Sequence, residues 1–233
     1  ALYRMGRTDA ALASLGTLAA SHPDEPSVHI TLGDLLRREE RFDEASQAYD
    51  RAVALIGTPV QRHWSLFYAR GITHEREKRW ALAEADFLTA LELEPDQPDV
   101  LNYLGYSWVE MRLNLDRALA MIERAAAAEP DNGYITDSLA WVLYRLGRYV
   151  DAVPHMERAV QLMPTDPILN DHLGDIYWAV GRRVEARFQW RRALQFEPAE
   201  DEAPRIRRKL EVGLDAVLAE EGEPPLAISS GAP

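Results

Sequence analysis

Residues Asp131 to Pro164 read DNGYITDSLAWVLYRLGRYVDAVPHMERAVQLMP, two apolar runs at helical spacing joined at Gly147. Neither run is apolar enough to build a core by itself, so each must bury its face against a neighbour. The register of those neighbours follows by subtraction. Ala152 recurs 34 residues later as Ala186 and 34 earlier as Ala118; Ala125, Ala159 and Ala193 keep the same interval, as do Gly147 and Gly181. Pro95, Pro130, Pro164 and Pro198 close successive units at intervals of 35, 34 and 34. A fixed period of this size is the signature of a stacked array of two-helix units.

Several positions recur together in each unit. In the last complete one they are Leu173-Gly174, Tyr177, Ala186, Trp190, Ala193 and Pro198. This pattern of Leu-Gly, aromatic, small residue, aromatic, Ala and closing Pro resembles the tetratricopeptide repeat, and the resemblance covers nearly the whole chain. It implies an all-α fold, a right-handed superhelical solenoid of antiparallel helix pairs. The expected units are a trailing half-repeat over 1–23, carried by Leu2, Tyr3, Gly6, Ala11 and Pro23, then full repeats over 26–57, 64–95, 98–130, 133–164 and 167–198. Small residues such as Gly105, Ala118, Gly174 and Ala186 let paired helices approach. Trp108, Tyr177 and Trp190 fill the gaps between pairs.

The pattern is broken by an extra residue in the turn around Leu113-Asn114, by Ala140 where Gly is usual, and at three further places. Gly57-Thr58-Pro59-Val60 stretches the interval from Gly33 to Gly71 to 38 residues, which predicts a longer loop or an extended helix there. Arg70 and His74 stand where Leu and an aromatic are usual, so the packing of that helix is in question. Beyond Pro198 the pattern ends, and residues 202–221 read as one amphipathic helix with Ile206, Leu210, Leu214, Val217 and Leu218 on one face, expected to cap the exposed end of the stack. The segment 222–233, rich in Pro, Gly and Ser, is expected to be disordered.

Composition narrows the function. A net charge of -12 argues against a nucleic-acid backbone or an anionic membrane as partner, and no apolar run approaches the roughly 20 residues needed to span a bilayer. The absence of cysteine removes thiol nucleophiles and thiolate metal sites. There is no phosphate-binding Gly loop, no HExxH and no nucleophile elbow, so neither a catalytic role nor a cofactor is expected. Asp171, His172 and Asp175 share a helical turn, but no third His or Cys lies near, and no metal is expected.

Function then falls to surface the stacking leaves over. In the family that this chain resembles, the first helices line a concave groove. Carried over by position, the groove residues are Asn102, Tyr103 and Tyr106, then Tyr134, Asp137, Trp141, Tyr144 and Arg145, then Asp171, His172, Asp175 and Trp178. Aromatic rings interleaved with amides and carboxylates suit an extended or helical peptide, the polar groups bonding its main chain or its basic side chains. The family's carboxylate clamp is unmatched. A second groove segment, with Asp34, Arg37, Arg38, Tyr68, Glu75 and Arg76, is more basic. The arginine-rich run from Arg182 to Lys209 reads as a solvated outer face balanced by Glu185, Glu197, Glu200, Asp201 and Glu202, or as a docking patch for an acidic partner.

A closer resemblance is carried by LNYLGYSWVE from Leu101 and by DNGYITDSLAWVLYRLGRYVDAVPHMERA from Asp131. These stretches are similar to the C-terminal repeats of bacterial outer-membrane lipoproteins that act as adaptors for a periplasmic carboxyl-terminal processing protease. That resemblance implies a repeat array continuing upstream of Ala1 with a lipid anchor, attachment to the outer membrane in the periplasm, and a scaffold that brings a protease to its substrates. A regulatory or substrate-selecting region of a larger multidomain enzyme is the alternative, and a cytoplasmic location goes with it. Self-association through the N-terminal edge is a third possibility.

Overall fold

A computed structural model describes residues 8–226, and within them the chain is built of α-helices joined by short turns. It divides into two compact units between Val100 and Leu101. The expectations for Leu2, Tyr3 and Gly6, and for the last seven residues of the tail, 227–233, lie outside the described residues.

The first unit holds α1 (Thr8–Ser21), the pair α2 (Pro26–Arg38) and α3 (Phe42–Ile56), and the pair α4 (Trp64–Arg76) and α5 (Trp80–Leu93). Its N-terminal core is Leu36, Ala45, Ala48, Tyr49 and Ala52 against Leu66 and Ala69, with Leu12, Ile30 and Val53 at its margin. The insertion after Gly57 forms a loop and a short 3-10 turn, Gln61–His63, tied down by the Gln61 side-chain amide donating to Glu94 at 2.7 Å. Arg70 and His74 do not weaken α4, because they are paired where they are buried. Arg70 donates twice to Asp86, at 2.7 and 2.8 Å, and once to Asp50 at 2.9 Å, while His74 Nδ1 lies 3.0 Å from Glu77. Ser46 reaches the same Glu77 carboxylate at 3.0 Å, so polar bonds tie α3 to the α4–α5 turn. Asp34, on α2, accepts from the Tyr49 hydroxyl at 2.8 Å and so faces its own pair partner.

The helix α6 (Pro98–Glu110) opens the second unit. It is followed by α7 (Leu115–Ala128), the pair α8 (Gly133–Arg145) and α9 (Tyr149–Leu162), the pair α10 (Pro167–Ala179) and α11 (Arg183–Gln195), and then α12 (Glu202–Val212) and α13 (Leu214–Glu220). Helix starts are set by side chains that meet the unpaired backbone donors. Asn132 accepts from the amides of Tyr134 and Ile135, and Asp166 accepts from those of Ile168 and Leu169, with Pro167 at the first helical position.

Two local features repeat with the sequence period. The turn inside each pair puts a residue at positive φ, Glu40, Lys78, Arg112, Gly147 or Gly181, and the α6–α7 turn adds Asn114. In each of the first five the amide of the next residue donates back to the last turn of the helix, as Arg148 to Leu143 at 2.9 Å and Arg182 to Tyr177 at 2.8 Å. This is a Schellman closure, which glycine meets without steric cost and the other three residues meet at some cost. The second feature is close approach. A Cβ added at Gly33, Gly71 or Gly174 would lie 2.7, 2.6 or 2.3 Å from the ring of Tyr49, Phe87 or Trp190, so hydrogen at that position is what admits the aromatic of the paired helix. In the α8–α9 pair the corresponding residues are Ala140 and Met156, both fully buried, a larger first residue matched by an unbranched, adaptable second one.

The C-terminal end departs from a single capping helix. The break falls at Gly213, at φ +88°, where a Cβ would lie 2.4 Å from the Trp178 ring. The first half, α12, starts 35 residues after Pro167, in register with the first helices of the earlier pairs. The second half, α13, folds back.

Candidate partner-binding groove

The first helices α6, α8 and α10 bring most of the expected groove residues together. Trp141 lies at the centre. Its ring stacks on Tyr144, with centroids 4.7 Å apart and planes 12° apart, and on His172 at 3.9 Å and 11°. Its indole N–H donates to Glu110 at 2.7 Å, and the Arg145 guanidinium sits 5.8 Å from its ring. Tyr106 lies near the same charges; burial pushes its phenol far above the ordinary value, and Glu110 and Asp137 push it further. Trp178 completes the aromatic row one repeat on, its N–H donating to Asp215 at 2.8 Å with Arg183 3.8 Å from its ring centre.

The carboxylates behave differently from the expectation. Expected to bond a ligand, each already has a partner inside the chain, although one oxygen of Asp171 accepts no hydrogen bond. Asp137 lies 2.8 Å from His172 Nδ1. Asp175 accepts from Trp190 at 2.8 Å and from Lys209 at 2.7 Å, and Asp171 takes the same ammonium at 2.6 Å. Lys209 is fully buried, an α12 residue 34 positions after Asp175. These bonds, with Ile206 at 1% exposure, seat α12 on α10.

His172 couples this network to pH. Burial alone would push the imidazole below its ordinary value of 6.5, but Asp137 opposite, with Asp171 and Asp175 behind, outweighs it and leaves the group raised. A raised folded-state value means that the native state binds the proton more tightly, so the stabilisation is complete below 6.5 and is lost as pH rises through the folded value. The urea midpoint of the C-terminal unit is therefore expected to fall on going from pH 6 upward through the histidine range. Asp137→Asn should flatten that profile; an unchanged slope would show that His172 is not its source.

The groove is occupied. From Gly213 the chain turns back, and α13 with residues 221–226 runs across the repeats in reverse order. Asp215 reaches Trp178 and Arg183, the latter at 3.0 Å. Leu218 lines one cavity with Trp141, Arg145 and His172 and another with Tyr144 and Leu115, and Glu223 pairs with Arg112 in the α6–α7 turn. Leu214, Val217 and Leu218 are 0, 2 and 7% exposed. Residues 224–226 lie beside Tyr144 and the α8–α9 turn at Leu146 and Gly147. A cavity of about 330 Å³ remains beneath this strap, lined by Glu110, Trp141, Arg145, Asp171, His172 and Glu202 among others.

The remaining expected residues fall at the edges. Tyr134 stands 56% exposed at the start of α8. Asn102 and Tyr103 are half-buried on α6, outside the lining of that cavity. Sequence reasoning passed over Arg112, placed Arg205 and Lys209 in a solvated or docking face, and read the strap's helix as part of one cap. The arginine-rich run is corrected by its partners: Arg183 is matched by Asp215, Arg205 by Glu221, Arg208 by Glu220, and Arg187 donates to the Leu210 carbonyl. Only Glu185, on Arg182, is among the balancing acids expected.

The tetratricopeptide-repeat family model matches residues 1–58 and 112–167. Those residues carry tetratricopeptide repeats. A curated relative, a TPR repeat-containing protein of Pseudomonas aeruginosa, is 29% identical over 152 residues, 65% of this chain and 25% of its own length. This repeat chain therefore spans about a quarter of that relative. Among solved structures, a tetratricopeptide repeat protein from Parabacteroides merdae is similar with a TM-score of 0.74 at 16% identity, over 95% of this chain and 83% of its own. YrrB, described as a TPR protein with an unusual peptide-binding site, is similar with a TM-score of 0.61 at 17% identity, over 83% of this chain and 97% of its own. At these identities the likeness is one of fold.

Proposed function

We propose that this repeat chain is a non-catalytic interaction scaffold that holds a segment of a partner protein in the groove of α6, α8 and α10. The observation that carries the reading is that the groove already accommodates polypeptide, its own α13 and the residues after it, on Trp178, Tyr144 and Arg112. Stacked rings give a rigid apolar floor at low entropic cost, and the arginines around it fix the register of whatever lies on it. A peptide ligand in the groove is the same class of ligand that the name of YrrB carries. The wording of the third and fourth repeats supports a cell-envelope adaptor, held in the periplasm or at the outer membrane, that recruits a carboxyl-terminal processing protease or its substrates.

The test is capture from envelope and cytosolic extracts with three baits: the native chain, Trp141→Ala/Tyr144→Ala and Arg145→Glu. The expected result is a partner held by the native chain and lost at least tenfold by both variants, with helicity by circular dichroism unchanged. Equal capture by all three would move the interaction off the groove. A protease of the expected class among the captured proteins supports the adaptor reading, and its absence from envelope captures argues against it.

A further inference from the structure

The strap is held in a way that marks it as removable. Its helix has seven residues, too short to persist in water without the groove beneath it. Its ion pairs, Arg112 with Glu223, Arg183 with Asp215, Arg205 with Glu221 and Arg208 with Glu220, all join partly exposed side chains, the kind of pair that contributes little each. On the other side of Gly213, α12 is fixed by a buried ammonium between two carboxylates. The chain therefore has an end fixed by a buried ion pair, a glycine at positive φ, and an end held by one apolar face of three residues, in that order.

Removing the strap changes the charge of the groove. Four arginines, Arg112, Arg183, Arg205 and Arg208, each lose a carboxylate when Asp215, Glu220, Glu221 and Glu223 leave. Asp137, Asp171 and Asp175 stay paired with His172 and Lys209, so the opened surface gains positive character. Arg145 adds to it, with a buried Nε that has no acceptor beside the cavity under the strap. The apolar seats follow the spacing of Leu214, Val217 and Leu218, which is i, i+3 and i+4, one face of a helix.

Resting on the reading of this groove as the partner site, we propose that α13 and residues 221–226 are a displaceable occupant. The segment that displaces them is a short amphipathic helix of another protein, with aliphatic residues at i, i+3 and i+4 and carboxylates around them. The strap holds the groove closed until such a segment competes for it. The partner is acidic in this segment, not basic.

The probe is a fluorescein-labelled peptide of residues 213–226, read by anisotropy against the 233-residue chain and against two variants that loosen the strap, Asp215→Lys and Leu218→Ser. Both variants should bind the peptide at least tenfold more tightly than the native chain. Adding Trp178→Ala should abolish the gain, and a scrambled peptide of equal composition should not bind. Hydrogen exchange should show residues 214–220 losing protection in the variants while α10 keeps it, which separates strap release from unfolding. Peptide affinity equal in all three chains overturns the proposal, as does a native chain that sediments as a dimer with exchanged straps, since a second copy would then be the occupant. If the peptide fails on an opened groove while partner capture still depends on Trp141, Tyr144 and Arg145, the acidic-helix inference falls and the scaffold reading stands. Failure of both assays removes both.

Discussion

Replacing Lys209 by methionine is expected to cost the C-terminal unit about 3–5 kcal/mol, the usual loss when one partner of a buried ion pair is removed. Nothing on the surface compensates, because Lys209 is fully buried and its ammonium lies 2.6 Å from Asp171 and 2.7 Å from Asp175. Methionine keeps most of the side chain's volume, so the loss reads the charge and not a cavity. Two largely buried carboxylates would then be opposed only by Arg205, 3.7 Å from Asp175, and by the neighbouring His172. Burial already raises the Asp171 carboxyl against the pull of Lys209, and without that cation the rise becomes larger. A carboxyl raised in the folded state binds its proton more tightly there, so the variant should regain stability as pH falls toward the carboxylate range. Asp175→Asn in the same background should restore part of the loss at neutral pH, since an amide oxygen still accepts the Trp190 N–H. Urea unfolding followed by tryptophan fluorescence suits the measurement, because Trp108, Trp141, Trp178 and Trp190 all lie in this unit. A loss below about 1 kcal/mol, the scale of an exposed pair, would mean that water reaches Lys209.

This cluster also marks the limit of what the sequence could reveal. The 34-residue interval located the helix pairs, the closing turns and the small residues under Tyr49, Phe87 and Trp190, because each of these is a contact between positions at fixed spacing. It identified the rings of α8 and α10 for the same reason. Lys209 satisfies that spacing too, 34 residues after Asp175, but a lysine in an arginine-rich stretch reads as solvated. Its burial comes from α12 seating on Asp171 and Asp175 of α10, and no periodicity announces the reversal at Gly213 that follows. The carboxylates misled for a related reason. A sequence gives the charge of Asp137, Asp171 and Asp175 but not the neighbour that spends it, and here the neighbours are His172 and Lys209. Arg70 and His74 are the opposite case, residues that looked like faults in α4 until Asp86 and Glu77 stood beside them.

Trp178 and Trp190 separate the two uses of an aromatic ring in this fold. Their centroids are 5.3 Å apart, and both are buried, at 8% and 0% exposure. Trp190 fills the space that Gly174 leaves and donates to Asp175, so it belongs to the packing of α10 on α11. Trp190→Ala should cost about 3–5 kcal/mol, the range for emptying a large buried aromatic site, and should lower the melting temperature of the whole C-terminal unit. Trp178 meets Gly213 and Asp215, which belong to the returning chain. Trp178→Ala should therefore act first on the strap: residues 214–220 lose their exchange protection while α10 and α11 keep theirs, and the melting temperature falls less than for Trp190→Ala. Equal losses in the two variants, with protection lost across α10 in both, would make Trp178 a core residue like its neighbour and would bind strap and stack into one cooperative unit. Unequal losses would mean that the boundary between scaffold and occupant runs between these two rings, with Trp190 holding the repeat together and Trp178 forming the floor on which a partner's helix can take the place of α13.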